Sequence, residues 1–229
     1  MLWFIRDNSV NTKVYYGLDP DKLIMVILMT RNVYSTCLCE IVETSFTHEE
    51  LEFVSTMIDK LSKISGGRNH NLTEEYTESG LMSNIANKIN YNERNRIARA
   101  VTFLHIARSA NFTLTKLSLY MNIYECLFTT DTSEVVHKIS ERTACYYSTD
   151  KAKRLDIFKL IKKAYTIRSR YFHGQELDKK QTIESINNIM LEIDTITREI
   201  LTRVIMDDSE IFLKDTTELE LWFNDLILS

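Results

Sequence analysis

The chain has 229 residues and a mass of 26.9 kDa, enough for one or two domains of roughly 100–200 residues each. Its 44% hydrophobic and 26% charged residues exclude disorder, and its longest apolar run, Leu23 to Met29, is far short of the ~20 residues a membrane helix needs. A net charge of -4 decides little, whereas Gly 5 and Pro 1 decide a good deal. A chain so poor in turn formers is built mostly from helices, and it has no glycine loop or dinucleotide fingerprint, which excludes P-loop and Rossmann enzymes. The start, Met1 to Asn8, lacks the basic, apolar and small-residue pattern of a secretory leader, so the cytoplasm is the expected compartment. Cys37, Cys39, Cys126 and Cys145 have neither zinc-site spacing nor the density of a disulfide scaffold, and free thiols are expected.

In chain order, Leu23–Met29 and Val33–Val42 are β-branched, aromatic-rich runs flanking Thr30-Arg-Asn, which reads as a hairpin; a pair of buried helices gives a similar pattern. Thr47-His-Glu-Glu50 is a capping box, and Leu51, Val54, Ile58 and Leu61 follow at helical spacing until Gly66-Gly67. The polar stretch from Arg68 to Ser79, extended to about residue 85, is the expected boundary between an N-terminal region (1–85, α+β) and a helical bundle (86–229). Six apolar stripes then follow at 3.6-residue spacing: Ile97 to Ala107, Leu114 to Phe128, Val135 to Tyr146, Ile157 to Phe172, Ile186 to Ile200 and Leu219 to Leu228. Helices of this length with short connections pack as a bundle, so the fold is expected to be mainly α.

Arg168 breaks the fourth stripe, falling on the same arc as Ile157, Ile161 and Ala164. A guanidinium there needs a partner, a cleft or a second subunit, because an unpaired buried charge costs several kcal/mol. Glu125, at the edge of the second stripe, is the expected internal partner. His173 follows five residues after Arg168, and Gly174 then reads as the helix stop. Arg99 with His105 is a comparable pairing that composition alone produces. Residues 151–170 carry Lys151, Lys153, Arg154, Lys159, Lys162, Lys163, Arg168 and Arg170 against a single Asp156. That face would draw a polyanion, although such lysines are as often merely a solvated face. Tyr165 and Tyr171 are packing residues that could also stack on bases. Cys37-x-Cys39 with His48 supplies three ligand types without a fourth, so no metal site is expected.

The blocks Asn95–Ala107, Leu117–Phe128, Lys138–Ala144 and Leu160–Gly174, in that order and ending in Arg168-Ser-Arg-Tyr-Phe-His-Gly174, resemble the HEPN superfamily of helical-bundle proteins, and within it the Apea-like branch. The resemblance covers about residues 90–228 and is most specific in its last block. It implies a homodimer in which two Arg-x4-His motifs form one cleft that cuts RNA without a metal or other cofactor. Carried over, the catalytic pair is Arg168 and His173, with Ser169, Arg170 and Glu125 in support and Lys159, Lys162 and Lys163 on the RNA. Many active relatives have Asn, Asp or His directly after the arginine, where this chain has Ser169. Toxin and phage-defence roles are common among the relatives. An antitoxin or regulatory protein would be a separate chain, and no membrane is implied. A catalytically silent module that binds a nucleotide, RNA or protein is the alternative.

The chemistry agrees with the pair. RNA carries its own nucleophile in the 2′-OH, so cleavage needs a group that moves a proton and a cation at the phosphate oxygens. Histidine exchanges a proton near neutral pH, and arginine offers a permanent planar fork of donors. Residues five apart on one helix diverge by about 140°, which favours a site shared by two protomers.

Overall fold

In the computed structural model, residues 1–11, 14–19, 24–29, 33–64 and 95–228 are described. The expected boundary near 68–85 and the Gly66-Gly67 stop lie outside them. The protein is mainly helical. Among the described residues, a 3-10 turn at Leu2–Phe4 and an antiparallel hairpin, β1 (Val14–Asp19) and β2 (Ile24–Met29), precede eight helices. They are α1 (His48–Ile64), α2 (Arg96–Ser109), α3 (Thr113–Phe128), α4 (Val135–Tyr147), α5 (Lys151–Phe172), α6 (Ile183–Met206), the one-turn α7 (Ser209–Phe212) and α8 (Thr216–Leu228).

The long helices begin where the sequence supplies acceptors for their free N–H groups. Asn95 caps α2 through Ala98 N, Asp150 caps α5 through Lys153 N, and Thr182 caps α6 through Ser185 N. The capping box of α1 is reciprocal: Thr47 N donates to Glu50 Oε2 (2.9 Å) and Glu50 N to Thr47 Oγ1 (3.2 Å). Asn95 also donates through Nδ2 to Ile64 O (2.8 Å), fixing the end of α1 to the start of α2.

Helix α3 is the central element and buries Leu117, Tyr120, Met121, Tyr124, Leu127 and Phe128. It runs antiparallel to α5, as the pairs Thr115–Tyr171, Asn122–Arg168 and Glu125–Tyr165 show. It runs parallel to α6, where Tyr120 meets Asp194 and Tyr124 meets Thr197. Helix α8 closes the far end over α4 through an aromatic cluster of Phe128, Tyr146, Phe212, Trp222 and Phe223. Trp3, Phe4, Cys37 and Met57 belong to the same continuous core as the bundle helices.

Two expectations are corrected. Residues Ile24–Met29 do pair, but with Val14–Asp19; Val33–Val42 is not a strand. Its backbone groups are taken by the bundle and by its own turn: Ser35 N donates to Arg108 O (3.1 Å), Cys37 N to Asp7 Oδ2 (2.7 Å), and Cys39 N to Thr36 O (2.9 Å). On α1 the buried residues are Val54 and Met57, while Leu51 and Ile58 stay exposed. The core-facing arc is therefore rotated from the one that Leu51, Val54, Ile58 and Leu61 define.

Candidate functional site

Arg168 sits in the last two turns of α5. It lies on the arc facing α3, but the deepest position on this stretch belongs to Ile167, and a quarter (25%) of the Arg168 side chain remains accessible. The guanidinium is thus partly covered and faces the polar residues Asn122 and Glu125 of α3, as a paired arginine on this arc is expected to do. Arg168 Nη2 donates to Asn122 Oδ1 (3.3 Å) and lies 3.7 Å from Glu125 Oε1. The guanidinium also lies over the rings of Tyr165 (5.2 Å) and Phe172 (5.5 Å), which hold its plane by cation–π attraction. Its Nε is buried without a partner, and Nη1 has none among the described residues.

Glu125 divides its attention. Its shorter contact is the Tyr165 hydroxyl, which donates to Oε1 at 2.8 Å. Burial, and then that hydrogen bond, push the Tyr165 hydroxyl up to about 12, so it stays a donor at any ordinary pH. The carboxylate therefore acts as a hinge between Tyr165 and Arg168 and holds the arginine loosely, at a long ion-pair distance.

His173 is the C-cap of α5 and is exposed. The helix ends in a Schellman arrangement: Gln175 N donates to Arg170 O (2.9 Å), Gly174 N to Tyr171 O (3.3 Å), and Gly174 takes φ +65°. His173 N donates to Ser169 O (3.1 Å). Its imidazole makes no hydrogen bond, ion pair or ring contact with a described residue, Arg168 included. Ser169 and Arg170 take part through their carbonyls, and their side chains make no hydrogen bond to a described residue. Lys159, Lys162 and Lys163 are exposed along α5, with Lys162 Nζ 5.8 Å from the Phe158 ring. None of the three is ion-paired to a described residue, leaving that face positive.

Exposed apolar residues lie at the same end of the bundle as the motif. Phe172 (60% exposed), Phe112 (73%) and Ile183 (81%) occupy the last turn of α5, the N-cap of α3 and the first residue of α6. The helix directions above place all three at one end of the bundle. Tyr171 is half-exposed there, and its hydroxyl is 3.2 Å from Thr115 Oγ1.

Sequence reasoning missed Asn122, although its i, i+3 spacing to Glu125 puts both on one face of α3. It also missed the buried cluster around Asp194, which accepts from Trp3 Nε1 (2.8 Å) and Tyr120 (2.5 Å) and pairs with Arg198. Cys37 joins this cluster rather than His48: ligand atoms of Asp7, Cys37 and Asp194 lie within 4.8 Å of one another. Both carboxylates already face a guanidinium, Arg108 and Arg198, and burial first, then the nearby carboxylates, push the Cys37 thiol up, which disfavours its thiolate. The decoy residue His105 contacts the Tyr34 hydroxyl at 3.1 Å.

Among the described residues no helix is long and apolar enough to cross a membrane. Compared with protein-family models, curated proteins and solved structures, the chain matches none. The functional reading therefore rests on the residues and their geometry.

Proposed function

We propose that this chain is a metal-independent endoribonuclease of HEPN type that acts as a homodimer, in the role of a toxin or defence effector. The observation that carries the reading is Arg168, a guanidinium three-quarters covered and held by Asn122, Glu125 and two rings, while its Nη1 has no partner among the described residues. It lies one helical turn from the exposed His173. A cation so placed can take a phosphate oxygen without first breaking a strong ion pair. Lys159, Lys162 and Lys163, ion-paired to no described residue, supply the long-range attraction for a polyanion.

In the proposed reaction the 2′-oxygen attacks phosphorus, the bond to the 5′-oxygen breaks, and a 2′,3′-cyclic phosphate forms. His173 moves a proton at one of these two oxygens, and Arg168 neutralises the charge that gathers on the non-bridging oxygens. Arg168 and His173 diverge along one helix, so a second copy would complete the cleft, and the exposed Phe112, Phe172 and Ile183 at the same end of the bundle provide an apolar surface for it. Incubation of the purified protein with mixed cellular RNA in EDTA tests the reading. Fragmentation by the wild type, lost in Arg168→Ala and in His173→Ala, is the expected result. Binding of RNA or a nucleotide without any cutting by a folded dimer supports the silent module instead, and Ser169 is then the first residue to exchange.

A further inference from the structure

A separate concavity lies where the N-terminal segment crosses α2, away from Arg168. It is a cavity of about 350 Å³ with apolar walls from Trp3, Phe4, Val101 and Leu104 and polar groups from Tyr34, His105 and Arg108. This volume is at the small end of the range for ligand sites, and a few polar groups on an apolar wall are their usual makeup.

The charges around it do not balance. Arg108 is 7% exposed and spends Nη1 on Asp7 Oδ1 (2.6 Å) and Nη2 on the Asn8 carbonyl. Its Nε has no hydrogen-bond partner among the described residues. Lys116, 1% exposed, gives its ammonium to the carbonyls of Ala107 (3.0 Å) and Arg108 (3.3 Å) and not to a carboxylate. Two buried cations thus share one carboxylate, Asp7, because the neighbouring Asp194 is held by Arg198. Burial chiefly, with the nearby Arg108 adding to it, holds the Lys116 ammonium below the usual lysine range. Buried cations without a full set of counter-charges are costly, and an anion in the adjoining cavity would offset that cost.

We propose that this cavity binds a small aromatic carboxylate. The ring lies against Trp3, Phe4, Val101 and Leu104, and the carboxylate accepts from Arg108 Nε and from the Tyr34–His105 pair at its rim. Tyr34 and His105 hold each other edge to face at 5.4 Å between ring centroids, so this polar edge is already formed. The site is independent of the nuclease reading.

Calorimetric titration of the whole chain tests it, with 1-naphthoate as the probe and 1-naphthalenemethanol as its uncharged counterpart. Naphthoate is expected to bind at one site with Kd below about 1 mM, and the alcohol about tenfold more weakly or worse. Val101→Trp, from a half-buried position on the wall, should abolish naphthoate binding. His105→Ala, at an exposed position that leaves folding intact, should weaken it about fivefold. Equal affinity for acid and alcohol, unchanged naphthoate binding in a folded Val101→Trp or in His105→Ala, or no binding up to about 5 mM overturns the proposal.

Discussion

Glu125 and Glu220 each face an arginine, and their surroundings decide what each contributes. The Glu125–Arg168 pair spans 3.7 Å with side chains 29% and 25% exposed, so water screens it. Glu125→Ala is expected to cost about 1 kcal/mol in urea unfolding, the sum of a weak pair and the lost Tyr165 hydrogen bond, and not the ~3 kcal/mol of a fully buried pair. Any larger loss of RNA cleavage in this variant would come from a mispositioned Arg168. Glu220 is the opposite case. It receives both hydrogen bonds from Arg142 Nη2 (2.8 and 2.7 Å), and Arg142 is 2% exposed and stacked 4.6 Å over Phe223. Its removal strands a buried charge, and Glu220→Ala should cost about 3 kcal/mol. Burial alone would raise the Glu220 carboxyl, but the hydrogen bonds from Thr130 and Arg142 outweigh it and hold the group below its ordinary value. Its contribution is therefore complete above about pH 4.3 and is lost as pH falls through the depressed folded value. Urea midpoints measured from pH 6 down to about pH 3 should fall less steeply in Glu220→Gln than in the wild type; parallel slopes would contradict this linkage.

At the scale of elements, the end of α5 is the most informative. Gly174 at φ +65° has nothing within 4 Å of an added Cβ, so Gly174→Ala meets only backbone strain. We expect a loss of about 1 kcal/mol in thermal unfolding, largely restored in Gly174→Asn because asparagine tolerates the left-handed region. This stop was legible in the sequence, as were the core residues of α2, α3, α4, α6 and α8, because each helix buries one face against neighbours and its apolar spacing records that. Two things were not legible. The arc of α1 depends on which side meets α6, and Leu51 and Val54 are equally apolar to a helical wheel. Val33–Val42 has strand composition, yet tertiary acceptors on Asp7 and Arg108 capture its donors, and no local pattern encodes partners dozens of residues away. The candidate site was legible to the extent that it is local: Arg168, His173 and Gly174 share one helix end, and Glu125 was found as the residue opposite. Tyr165 as the stronger partner of Glu125 depends on the antiparallel register of α3 and α5, which spacing alone does not fix.

At the scale of the molecule, the proposed cleft requires a second copy. The bundle end that carries the motif exposes Phe112, Phe172 and Ile183, whereas at the opposite end α8 packs an aromatic cluster of Phe128, Phe212 and Phe223. Light scattering is expected to give twice 26.9 kDa. Phe172→Lys combined with Ile183→Lys should give a monomer that melts like the wild type and no longer cuts RNA; a monomeric wild type removes the composite site. The most direct measurement of the central claim uses a short RNA and its twin carrying one 2′-deoxynucleotide 5′ of the scissile phosphate, both in EDTA. The reading predicts that the all-ribose strand is cut to a 2′,3′-cyclic phosphate or its hydrolysed form while the deoxy twin stays intact at that bond. Cleavage of both strands alike, or only when a divalent metal is returned, would contradict it.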